Sequence, residues 1–186
     1  MARGKVKPSK TKQSETERKG AAEEQLASFV AKFLPDVGAQ AEAIRAIMRR
    51  RYPTALELVY DNYNALAIGY APSEKASEAI FSIALFPRWV SLFFLQAKGL
   101  RDPDGLLKGS GSVARHIVLQ TPQMLDDPRV EELMEEAVER ARVPFSPEGA
   151  HRLTIKSVSK NQRPRRPAAR SAMKAGTAKK SKQAAK

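Results

Sequence analysis

The carboxylates near the C-terminal third are the first residues that could do chemistry. Glu131, Glu132, Glu135, Glu136 and Glu139 follow Asp126 and Asp127 at helical spacing. On a helix, Glu132, Glu135, Glu136 and Glu139 lie towards solvent, opposite Val130, Leu133, Met134 and Ala137. Carboxylate oxygens suit hard cations, so a metal ion is the ligand this ridge would take. The plainer reading is a solvated face. The pairs 131/135, 132/136 and 135/139 then cost an isolated helix about 0.2–0.5 kcal/mol each. Basic termini could also fold back on the ridge through weak, salt-screened attraction.

A glycine loop is the second candidate. Gly109-Ser110-Gly111-Ser112-Val113-Ala114 carries the letters of a dinucleotide fingerprint. That chemistry needs a strand before the glycines and a helix after them. Here a loop precedes and a strand follows, so the match is rejected. What remains is an anion nest of free amides with Lys108, Ser110, Ser112 and Arg115. Its alternative is a tight connection that needs glycine for positive φ.

The third candidate is a polycation. Residues 160–186 hold 10 basic side chains and no acid, among them Arg163, Arg165, Arg166, Arg170, Lys179, Lys180 and Lys182. Such a segment binds nucleic acid by counterion release, without reading sequence. It has no aromatic to stack bases, so it confers no preference for single strands. Its alternative is a solubilising tail.

Other chemistries find no support. There is no Cys, so thiolate metal sites and disulfides are excluded. His116 and His151 are too far apart for a His-Glu-x-x-His zinc site. No Gly-x-Ser-x-Gly elbow occurs. Asn62, Tyr63, Asn64 and Trp89 could line a polar, aromatic pocket, or be turn residues and a core edge. The expectation is a binding or carrier protein, not an enzyme.

The elements that position these residues are organised around Phe81–Leu95. The run is rich in Phe, Leu, Ile, Val and Trp, and Pro87 interrupts it. Proline breaks a helix and presets a tight turn, so the run predicts a central β-hairpin. The alternative is a buried helix ending before Pro87. A strand apolar on both sides is usually covered on both, which predicts helices, or a helix and a long loop, on either face. Helical periodicity predicts helices from about Glu15 to Leu34 and from Val37 to Arg51. Alternation predicts strands at 56–61, 65–70 and 115–119, and an edge strand at 151–157 guarded by cations. Asp127-Pro128 predicts a capped helix to about Ala141.

Charge divides the chain. Residues 1–20 are net +5, residues 160–186 net +10, and residues 21–159 net −2. The expected layout is a disordered basic arm at 1–14, one domain at 15–159 and a disordered tail at 160–186. No apolar segment suits a secretory signal or a membrane span, so a soluble cytoplasmic protein is expected.

Several runs carry a resemblance. Leu58-Val59-Tyr60-Asp61-Asn62-Tyr63-Asn64-Ala65-Leu66, Leu92-Phe93-Phe94-Leu95, Asp102-Pro103-Asp104-Gly105-Leu106-Leu107-Lys108-Gly109-Ser110-Gly111 and Arg115-His116-Ile117 resemble the YdhG-like domain family over about residues 35–142. The resemblance implies a small α+β domain. Its antiparallel sheet would have about five to six strands, with flanking N-terminal helices and one C-terminal helix. Some relatives are described as frataxin-like iron chaperones. The implied cargo is iron on Glu132, Glu135, Glu136 and Glu139. The family supplies no catalytic residues.

Overall fold

A computed structural model describes residues 10–167. Helix α1 spans Lys10–Val30 and α2 Pro35–Arg51. Strands β1 (Leu56–Asp61), β2 (Leu66–Ala71), β3 (Phe81–Leu85), β4 (Val90–Phe94) and β5 (Arg115–Leu119) follow. Helix α3 spans Pro128–Glu139, and β6 spans Arg152–Val158. The protein is α+β, with one sheet in the order β5-β4-β3-β2-β1-β6.

The helix boundaries follow the chemistry of their ends. Pro35 is the first residue of α2, where a missing N–H costs nothing. Arg49, Arg50 and Arg51 occupy its last turn, complementing the helix dipole. Asp127 caps α3 by accepting from Arg129 N at 3.0 Å. Helix α1 differs from expectation: it starts at Lys10, inside the arm expected to be disordered, and stops at Val30 rather than Leu34.

The hairpin at 81–95 forms as expected. Its turn closes through Phe86 N to Trp89 O at 2.9 Å. Strands β3 and β4 are interior, and Phe81 and Phe94 meet edge to face at 5.6 Å. Strands β1 to β5 pair antiparallel, but β6 lies parallel to β1, with a bulge between Val59 and Tyr60. The sheet is therefore mixed rather than wholly antiparallel. The chain leaves β5 at one edge, crosses through α3, and reaches the opposite edge from the end where β1 began.

Helices cover one face of the sheet only. Leu26, Phe29 and Phe33, α2, α3 and the inward strand residues Val59, Ile68, Ile83, Leu92 and Ile117 form one core. The opposite face holds a small cluster of Leu58, Ala71 and Ala79, with Leu56, Tyr60 and Leu95 against it and no helical residue. The cause is in the strands. Gly69, Ser82, Ala84 and Ser91 supply that face, and they offer too little apolar area to bind a helix.

Among the described residues, no helix is long and apolar enough to cross a membrane.

Candidate nucleic-acid interface

The turn that joins β1 to β2 is built by its sequence. Asn62, Tyr63 and Asn64 favour a reversal, and Asn62 N donates to Ala65 O at 3.0 Å. The segment after β6 returns to this turn and holds it. Ser159 N donates to Asp61 O at 2.8 Å, and Arg163 N to Tyr63 O at 2.9 Å. The Arg163 guanidinium reaches Asn64 Oδ1 at 3.4 Å. Arg165 Nη2 donates to Asp61 Oδ1 at 2.7 Å and also to Asn62 O. Arg166 donates through Nε to Phe33 O at 2.9 Å and through Nη2 to Ala31 O at 3.0 Å. It thereby satisfies carbonyls that α1 leaves free at its C-terminal end.

These contacts overturn the boundary expected at residue 160, since the chain stays docked through Arg166. Arg165 is 5% exposed, stacks over the Phe33 ring at 5.5 Å and is a structural cation. The sequence sees ten equivalent cations because it cannot see Asp61. Arg163 and Arg166 are exposed, as is Lys32, whose Nζ lies 2.9 Å from Asp61 Oδ2. The buried Asp61 carboxylate is thus held by Lys32 and Arg165, Arg163 reaches the adjoining turn, and Tyr63 of that turn is 54% exposed. Arg170, Lys179, Lys180 and Lys182 lie outside the described residues, as does the arm before Lys10.

A second polar centre lies at the other end of β1. Glu57 is fully buried. Its carboxylate accepts from Arg45 Nη2 and Arg49 Nη2, both at 2.7 Å, and from Tyr70 Oη at 3.2 Å. His151 Nε2 lies 3.1 Å from it. Glu23 of α1 accepts from Arg45 Nη2 at 2.8 Å. Burial pushes the Glu57 carboxyl up, but His151, Arg45 and Arg49 outweigh it and hold it at about 2. Burial, with the Glu57 charge, pushes the Tyr70 phenol well above its usual range. Sequence reasoning missed this centre. A polar residue in an alternating strand reads as exposed, and no local signal ties it to α2. The acids and bases are spent on one another, so the centre acts as a joint between α1, α2, β1 and β2.

The segment before the glycine loop ties back onto the sheet. Asp102 Oδ1 and Oδ2 accept from Leu106 N and Leu107 N, each at 2.8 Å. Lys108 and His116 exchange backbone bonds of 2.7 and 3.0 Å, which covers part of the free edge of β5. The Arg115 guanidinium turns back to Leu107 O at 2.6 Å. Ser110 and Ser112 are exposed, and Gly109 sits at φ +104°. The positive φ at Gly109 is one that glycine adopts freely. His116 stacks on Phe93 at 4.9 Å. Burial, aided by Lys108 and Arg115, holds its imidazole below the usual range.

The carboxylates of α3 do not converge. Glu132, Glu135 and Glu139 are exposed along the helix and, with Glu136, line a groove of about 670 Å³ beside Arg101. Glu136 is engaged by Arg101 N at 3.0 Å and Arg140 Nη1 at 3.2 Å. Among the described residues, no group of three or more His, Cys, Asp or Glu is placed to hold a metal ion.

In class, then, the chain is an α+β protein with one helix-covered sheet face and a cationic turn at one sheet end. No family model, curated protein or solved structure matches it.

Proposed function

We propose that this chain is a non-enzymatic binding protein that holds nucleic acid through its phosphates, without reading sequence. One observation carries the reading. The root of the basic C-terminal segment is clamped at one end of the sheet, with Arg163 on the Asn62–Ala65 turn and Arg166 on the Lys32 carbonyl just past α1. The cations beyond the clamp, Arg170, Lys174, Lys179, Lys180, Lys182 and Lys186, follow from that point in sequence with no acid among them. The near-neutral body serves as the scaffold.

Gel retardation of mixed-sequence DNA at low salt tests the proposal. The full chain is expected to retard DNA. A chain ending at Pro167 should lose most of that affinity, and adding Lys32→Ala with Arg163→Ala should remove the rest. The log–log salt slope should fall by about 0.9 for each duplex phosphate that the protein no longer neutralises. Retardation unchanged by all of these would overturn the reading.

A further inference from the structure

The basic segment lacks an aromatic, and the turn that it clamps supplies one. We infer that Tyr63 gives the site a preference for unpaired bases, so that the nucleic acid taken is single-stranded rather than duplex. The inference rests on the function proposed above and deepens it.

Three observations support the assignment. Tyr63 and Trp89 are the most exposed aromatic rings among the described residues, at 54% and 42%. Trp89 is already stacked on Phe86, at 5.1 Å and 21°. Tyr63 has no ring partner among the described residues and remains available to one. The turn is also held on three sides. Arg165 binds Asn62 O, Arg163 N binds Tyr63 O, and the Arg163 guanidinium binds Asn64 Oδ1. A ring on a fixed turn loses little freedom on binding. Finally, the cations that would hold phosphates stand at the same turn. Arg163 is bonded directly to it, and Lys32 reaches Asp61 immediately before it.

The physics separates the two forms of nucleic acid. In a duplex the faces of the bases are stacked on one another and closed to a protein ring. In a single strand they are open, and stacking on an aromatic side chain is sequence-tolerant because every base has a π-face.

The experiment uses the full chain and fluorescence anisotropy at moderate salt. The probes are a labelled mixed-sequence single strand, the duplex of the same sequence, and heparin. The wild-type chain should bind the single strand more tightly than the duplex. Tyr63→Ala should weaken single-strand binding about five- to tenfold and leave duplex and heparin binding unchanged. Tyr63→Phe, which keeps the π-face, should retain the preference. Circular dichroism of Tyr63→Ala should match the wild type, as expected for an exposed turn residue. Equal loss on all three probes, or no loss on any, would overturn the role of Tyr63 while leaving nucleic-acid binding intact. Failure of the wild-type chain to bind either nucleic acid would overturn the proposed function itself.

Discussion

Glu57 shows how much one side chain can hold. It is buried on the inward face of β1 and is reached by two arginines of α2, by Tyr70 and by His151. Removing its charge leaves Arg45, itself only 5% exposed, with just the partly exposed Glu23 and Glu42 as carboxylate partners. Glu57→Gln should therefore cost about 3–5 kcal/mol, read from denaturant unfolding. The sign with pH follows from a carboxyl lowered on folding to about 2. Its contribution is fully present above the ordinary carboxyl value near 4.5 and is lost as pH falls from there towards 2. Acid unfolding should thus be steep in that window for the wild type and shallower for Glu57→Gln. Asp127 offers a smaller test. Its carboxylate caps α3 and is held below its ordinary value by the side-chain hydrogen bond from Arg129. Asp127→Ala should lower the midpoint of denaturant unfolding slightly.

The same strand marks where sequence reading succeeds and where it stops. A period-two pattern turns Leu56, Leu58 and Tyr60 to one side and Glu57, Val59 and Asp61 to the other. The large helix-covered core takes the second set, because Arg45, Arg49, Lys32 and Arg165 neutralise its acids. Those partners are distant in sequence, so no local pattern shows them. Locally encoded features were legible: the Pro87 turn, the Asp127-Pro128 helix start, the bounds of β5 and the cationic edge strand. Of the candidate site, the basic composition was legible, whereas the burial of Arg165 and the meeting of Arg163 with Tyr63 depend on where β6 pairs.

At the scale of elements, β6 and the segment after it form the last piece of the sheet. The piece is fixed through β1 at both ends, by His151 near Glu57 and by Arg165 on Asp61. A chain ending at Ser159 loses Arg165 and leaves Asp61 buried with Lys32 alone. Its melting temperature should fall by about 5–15 °C. A chain ending at Pro167 keeps both pins and should melt within about 2 °C of the full chain. Calorimetry of the two truncations separates a docked segment from a dispensable one.

Over the whole molecule, positive charge lies at the ends and the body is close to neutral. Association with nucleic acid should accordingly fall steeply with ionic strength, while thermal stability of the body changes little over the same range. Measuring both in one salt series checks the separation of binding charge from structural charge.

The parallel pairing of β6 with β1 has a consequence for biosynthesis. As the polypeptide emerges from the ribosome, β1 is made early, and its two inward acids wait for His151 and Arg165. Until the codon for Arg166 has been passed and that stretch has cleared the exit tunnel, one flank of the sheet stays open. The nascent chain can complete this domain only once that stretch is free, so factors that guard exposed strand edges would meet it until then.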